Sequence, residues 1–477
     1  MLGKYNNITY SVVWFVISIV LCAATSVTSS FAAHTVLVIA NLYSYYRCLR
    51  IWVSGGNSYI SLYTFFILYM CASNLGQSVL SLIPSRMSDL SVYESFVMDD
   101  IVEALRFQLV SVAGLGLGTS LWVCRNVSTT KKELLDTYHF VNPYNYGNQT
   151  LLKILFFFSA LLVFSDAISY FLIRQSMGYM DAYTERQLEG IPLYMQFANW
   201  LIILLGYYFA LTKRFTKPII WGFSALIVIF LICGNRSLTI KYLAFLLLFC
   251  PIAYPQYFKK KYLSIWAIVG VLLIAMMSVV SYARNDVGSA LQNASGQHAI
   301  GEMLIDSFSE MGGSVNTLIY TMDAIGNGFR HHLTELNFIV TAVASSSLCG
   351  FLGIENEYLP LGEWVGEYAG IRSYGLGYSC LAEWFMNYGW SGCLFAVFYG
   401  YLISMAESIS YKSIVKGDYL LPSILLTFLS TQIFYARSSL FYSLFDVRFG
   451  LWLIILYKLS HIKKNEYVYK KTTKKNY

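Results

Sequence analysis

The chain has 477 residues, 57% apolar and 12% charged, against roughly 25% charged in an ordinary soluble domain. No single soluble core absorbs that much apolar surface, so composition excludes a soluble globular protein and points to an all-α polytopic integral membrane protein, one membrane domain over 1–477. The formal net charge of +7 would suggest nucleic acid in a soluble protein, but here it is sorted among membrane loops, and no nucleic-acid partner is expected.

Apolar runs of about 20 residues, the length that crosses a hydrocarbon core, predict about twelve spans. They lie at 9–27, 29–46, 58–80, 101–123, 151–173, 193–211, 217–233, 238–255, 263–282, 388–407, 419–435 and 440–459. The first run resembles a signal peptide, with small residues from Ser30 to Ala33 as a cleavage site. A second apolar run follows at once, so the first reads as a retained helix. The nine cysteines show no CxxC pair and no Cys/His cluster at metal spacing, so they read as small core residues and neither metal nor cofactor is expected.

Basic residues recur in alternate loops: Arg47 and Arg50, Lys131 and Lys132, Lys213, Arg214 and Lys217, Lys259 to Lys261, then Lys412 and Lys416. The positive-inside rule makes those loops cytoplasmic and places the Lys-rich tail, 460–477, with them. The stretch 337–354 is apolar but interrupted by Ser345, Ser346, Ser347 and Gly350. Were it to span, the Lys412 loop and the tail would move outside, so it reads as re-entrant or packed on the outer surface. That leaves a long external loop, 284–378, between the ninth and tenth spans. Within it Ile300, Leu304 and Phe308, then Leu318, Met322 and Ile325, recur at helical spacing, so the loop is expected to be partly helical, as an interfacial amphipathic helix or as part of the site.

With this topology eighteen of nineteen lysines lie on or near the cytoplasmic side, Lys241 excepted, whereas ten of fourteen arginines lie outside or in outer helix halves. Arginine's planar fork matches phosphate oxygens, which a lysine point charge does not. The sorting implies an outward site for an anionic, phosphorylated substrate, with pairing to lipid headgroups or local acids as the alternative for part of the set. Glu103 and Arg106, three apart, can form a structural ion pair. Asp446 and Arg448, two apart, need partners on other helices, and Asp166 is a candidate partner. Arg236 sits in the tight turn Gly234 to Arg236, where backbone and guanidinium could jointly hold phosphate.

The segment Gly375 to Gly392, GLGYSCLAEWFMNYGWSG, leads from the loop into the tenth span. Ser379, Glu383 and Asn387 follow at i, i+4 and i+8, one helical face at the membrane surface. A carboxylate so placed suits general-base work. The same stripe could equally serve interhelical hydrogen bonding, with Gly389 and Gly392 for close packing.

The pattern G-x-G-x-S-x-x-A-E-x-x-x-N-Y-G-x-x-G at Gly375 to Gly392 resembles the Wzy-type polymerases of O-antigen and related bacterial polysaccharides. So do the G-x-R turn at Gly234 to Arg236, Arg284 directly after a span, and the layout of the whole chain. The resemblance implies a metal-independent GT-C-like glycosyltransferase at the outer face of the bacterial cytoplasmic membrane. It would transfer a growing glycan from undecaprenyl diphosphate onto a lipid-linked repeat unit, with membrane lipids, a chain-length regulator and a flippase as partners. Glu383 would be the catalytic base. Arg236, Arg284 and Arg372 would bind the diphosphate, with Arg437, Arg448, Ser379 and Asn387 as further substrate contacts. Related ligases share the architecture, and in a ligase-like reaction His331 or His332 would be the base. A transporter or flippase is the alternative from another class, but no internal repeat of the kind transporters show is visible.

Overall fold

The computed structural model describes residues 2–125, 149–177, 192–233, 236–254, 257, 300–331, 353, 361–370, 378–415, 419–440, 448–450 and 453. Among them there are helices and turns but no strand. Five helices are long and apolar enough to cross a membrane, within Asn7–Thr25, Met98–Arg125, Thr150–Met177, Tyr194–Leu211 and Cys380–Ile414, and Thr216–Ile232, Leu238–Ala253 and Leu420–Tyr435 are shorter apolar helices. This is an integral membrane protein. The expected span at 263–282 and most of that at 440–459 lie outside the described residues, as do 337–354 and the tail 460–477.

The amino-terminal layer is α1 (Leu2–Thr25), α2 (Ser30–Ser54), α3 (Leu62–Leu80) and α5 (Met98–Arg125), with the short α4 (Ser91–Ser95) between the last two. The apolar window of α5 is 83% buried against 17% for α1. So α5 is a central helix and α1 turns most of its side chains to lipid. α2 and α3 are less apolar because they bury His34, Asn41, Ser44, Ser73, Asn74, Gln77 and Ser78 toward the interior. The amino terminus of α3 is defined by Ser61, whose hydroxyl accepts from Thr64 N and from Trp52 Nε1 at 2.8 Å, satisfying donors that a helix start leaves open.

A second group follows: α6 (Gln149–Met177), α7 (Leu193–Leu211), α8 (Thr216–Ile232) and α9 (Arg236–Ala253). α6 is largely lipid-facing, its window 22% buried. α7 is sandwiched between α6, α9 and the later helix α15 (Leu420–Tyr435).

α14 (Gly392–Val415) packs tightly along α5. A Cβ on Gly118 would sit 1.9 Å from the Val397 carbonyl oxygen, and one on Gly400 2.2 Å from that of Leu115. The two backbones are therefore in direct contact, the small-residue crossing by which membrane helices associate without a hydrophobic drive. The tenth span was expected at 388–407. Instead α14 starts at Gly392, preceded by the separate short helix α13 (Cys380–Tyr388) and a 3-10 turn, Gly389–Ser391. Gly389 at φ +56 makes the break.

Of the loop 284–378, the described parts are α10 (Ile300–Gly312), α11 (Ser314–Gly326) and α12 (Leu361–Tyr368) with their flanks. α10 lies on α3, where Gly312 and Gly76 abut so closely that a Cβ on Gly312 would come within 2.4 Å of Gln77 N. Gln77 Nε2 donates to the Ser309 carbonyl at 2.8 Å. α11 packs on α13, α12, α5 and α3. These helices thus close one end of the bundle, hereafter the site end.

Candidate active site

Glu383 lies in the first turn of α13 and is 2% exposed. Its helix begins there because Ser379 is the N-cap, in extended conformation, with its hydroxyl accepting from Ala382 N at 3.2 Å. The expected stripe of Ser379, Glu383 and Asn387 is therefore altered: Ser379 spends its side chain on the helix start, and Asn387 is half-buried one turn beyond Glu383. A cap and a face member share the same spacing, and only the helix boundary separates them.

The Glu383 carboxylate has a backbone donor: Leu440 N–H reaches Oε2 at 2.8 Å. Tyr435 is a neighbour of the carboxylate, and Trp384 Nε1 donates to the Tyr435 hydroxyl oxygen at 2.9 Å. Tyr378 and Tyr399 complete the surroundings: Tyr378 shares a hydrogen bond with Thr321 of α11 at 3.1 Å, and Tyr399 donates to Gln432 at 3.1 Å. An acid in this setting is held in one orientation by α13 and the 436–440 segment, with an aromatic wall excluding bulk water.

The basic residues divide. Arg437, half-buried in the same 436–440 segment, sends Nη2 to the Glu310 carbonyl in the last turn of α10 at 3.5 Å. It belongs to the Glu383 neighbourhood. Arg448, 5% exposed, reaches Gln196 on α7 at 2.5 Å and lies 4.9 Å over the Phe449 ring. Arg236 is the first residue of α9, but its side chain, like Gly234 and Asn235, lies outside the described residues. Arg284, Arg372, His332, Asp446 and Gly375 to Gly377 also lie outside them. His331 is half-buried in an aromatic cluster, edge-on to Trp364 at 6.0 Å, while Trp364 stacks on Phe329 at 5.7 Å.

Two further arginines that were expected outside close helix ends. Arg106 does not turn to Glu103. Its Nη2 bonds the Thr25 carbonyl at 2.7 Å and its Nε the Thr25 hydroxyl at 3.2 Å, at the carboxyl end of α1. Arg174 bonds the Ile232 carbonyl at the end of α8. With Arg437 this makes three guanidiniums on terminal carbonyls, where a cation also meets the negative pole of the helix. Part of the outward arginine bias is thus structural, through backbone carbonyls.

The site end also carries acids. Asp323 accepts from Tyr368 at 2.8 Å and from Asn327 at 3.0 Å, and the Asp323 bond lifts the Tyr368 hydroxyl above the ordinary phenol range. No group of three or more His, Cys, Asp or Glu residues placed to hold a metal occurs among the described residues.

Sequence reasoning passed over Tyr435, Trp384 and Glu407. The last is a fully buried carboxylate on α14 that accepts from Tyr63 N, in the first turn of α3, at 2.9 Å. Its position inside an apolar stretch was the available signal.

No curated protein and no solved structure matches the chain. A family model described as O-antigen polysaccharide polymerase Wzy matches residues 7–465. With that match over nearly its whole length, and with the motif glutamate buried at the closed end of an apolar helix bundle, the chain belongs to the O-antigen polysaccharide polymerase Wzy family.

Proposed function

We propose that the protein extends O-antigen at the outer face of the bacterial cytoplasmic membrane, moving a growing glycan from undecaprenyl diphosphate onto a lipid-linked repeat unit, with Glu383 as general base. The observation that carries this reading is the buried Glu383 carboxylate, oriented by Leu440 N–H. In the reaction the acceptor hydroxyl gives its proton to Glu383 while its oxygen bonds the anomeric carbon. The bond from that carbon to the phosphate oxygen breaks, and the lipid diphosphate leaves with the electron pair. Arginines aimed at the leaving group offset its developing charge. Arg437 stands in the 436–440 segment whose Leu440 N–H bonds Glu383, and Arg236, Arg284, Arg372 and Arg448 are the further candidates. Asn387 is a candidate contact to the acceptor.

The lysine pattern supports an outward site end and a cytoplasmic tail at 460–477, with about twelve spans in a GT-C-like arrangement. A flippase that delivers the repeat unit and a chain-length regulator are the partners this chemistry calls for. A ligase-like reaction has less support, because His331 is packed against Trp364 rather than beside Glu383.

The test is Glu383→Gln in purified protein supplied with lipid-linked repeat units. The amide keeps the size and an acceptor oxygen, so folding and substrate binding persist while turnover drops by roughly 10²–10⁴. A fully active Glu383→Gln enzyme removes Glu383 as the base.

A further inference from the structure

The bundle interior holds seven buried side-chain oxygen atoms without a hydrogen-bond partner among the described residues: besides Asn41 Oδ1, Ser78 Oγ and Asn316 Oδ1, the other four are Asn74 Oδ1, Gln108 Oε1, Ser111 Oγ and Ser314 Oγ. The four residues are between 0% and 2% exposed. Leaving such atoms unpaired forfeits their hydration without return, and native interiors hold few of them. They are also not scattered. Gln108 and Ser111 stand one turn apart on a single face of α5. α2 and α11 each pack against both α3 and α5, so the four helices surround one interior.

A hydrogen-bond chain connects that interior to the catalytic glutamate. Gln108 Nε2 donates to the Tyr45 hydroxyl at 3.1 Å, and Tyr45 donates to the Met70 carbonyl at 3.4 Å. Asn74 Nδ2 donates to the same carbonyl at 3.1 Å and to the Ala436 carbonyl at 3.3 Å. Ala436 lies in the 436–440 segment, whose Leu440 N–H bonds Glu383. Because the amide nitrogens of Asn74 and Gln108 are engaged in this chain, their oxygens are the groups left over. Asn74 lies about 9 Å along α3 from its site end and Gln108 about 15 Å along α5 from its start, at about 1.5 Å per residue.

The chemistry of the open atoms selects the ligand. Two are amide oxygens, which accept only, and two are hydroxyls, which can accept or donate. Such a wall wants an uncharged partner with several O–H donors. A diphosphate brings acceptors and negative charge, and a polyprenyl tail brings neither donors nor acceptors. A sugar ring brings hydroxyls. We propose that Asn74, Gln108, Ser111 and Ser314 form a saccharide subsite that holds the terminal ring of the acceptor repeat unit against Glu383. This assignment rests on the polymerase reading.

The test is equilibrium binding of a radiolabelled lipid-linked repeat unit, extracted from cells that lack the polymerase, to the full-length protein in lipid nanodiscs. Ser111→Ala with Ser314→Ala removes two open hydroxyls and breaks no described hydrogen bond. That variant melts at or above the wild-type temperature, and it binds the repeat unit about tenfold more weakly, the loss of one to two net hydrogen bonds. Gln108→Met is measured in parallel and loses affinity to at least the same extent while remaining folded. Wild-type affinity in both variants overturns the subsite and leaves the polymerase reading standing. No binding to the wild-type protein overturns both. Weakened binding together with a fully active Glu383→Gln enzyme keeps the subsite and removes the base.

Discussion

Glu383 and Leu440 meet at 2.8 Å, carboxylate oxygen to backbone N–H, although they are far apart in the chain. The contact ties the 436–440 segment, and Arg437 with it, to α13. Replacing Glu383 by leucine leaves Leu440 N–H without this acceptor, at a cost of about 1–3 kcal/mol for a donor stranded away from water. Glu383→Leu is therefore expected to melt below Glu383→Gln, although both lose polymer. Thermal unfolding of the two variants in the same detergent checks the ordering, and equal melting temperatures would dissolve the link between the glutamate and the 436–440 segment.

The α5–α14 seam predicts a sharp contrast between two glycine substitutions. Gly118→Ala drives a methyl group into the Val397 carbonyl, 1.9 Å away, so the helices must separate and the yield of folded protein collapses. Gly222→Ala on α8 meets nothing within 4 Å and leaves yield unchanged. Fluorescence size-exclusion profiles of the two variants, expressed side by side, report the difference.

Arginines that cap helices and arginines that bind phosphate respond differently to lysine. Arg106→Lys keeps a cation able to bond the Thr25 carbonyl, so surface glycan of normal length is expected, while Arg106→Met destabilises the protein by about 1.5–3 kcal/mol, the range for a charged hydrogen bond. The proposal that Arg236, Arg284 and Arg372 hold the diphosphate makes the fork geometry the requirement there. Lysine there leaves expression normal and abolishes polymer. Full-length glycan from the triple lysine variant would remove the bidentate argument.

Topology is tested by cysteine labelling in intact cells. A cysteine at Asn327, in the exposed flank of α11, reacts with a membrane-impermeant maleimide once the outer layers are permeabilised, and a cysteine at Lys464 reacts only after the inner membrane is broken. Labelling at Lys464 from outside inverts the orientation.

What could be read in advance follows a physical divide. The apolar runs announced helices such as 193–211, which appears as Leu193–Leu211, because a span is a local property of its own composition. Glu383 was legible too, since an acid in an apolar stretch behind a glycine-rich approach is conspicuous in one dimension. Its neighbours were not: Leu440 and Tyr435 come from another helix and segment, and nothing local specifies a backbone N–H as a ligand. Arg106 shows the same limit, with a plausible neighbour in Glu103 and an actual partner in Thr25, 81 residues away. Gly114 and Gly118 of α5 are four residues apart in the sequence, but the Cys393 and Val397 carbonyls they abut required the fold.

The bond between Tyr63 N and Glu407 spans 344 residues of sequence, which has a bearing on how the protein is made. α3 leaves the ribosome long before the carboxylate that caps its first turn exists. At about 5–20 residues per second, the interval is roughly 20–70 s. During that time the amino-terminal helices sit in the membrane with an interior face waiting for α14, and α5 lacks the helix that its glycines are shaped to receive. A chain truncated before residue 392 is therefore an unfinished bundle, a substrate for membrane quality control rather than a smaller working enzyme. Completion of this part of the fold waits for α14.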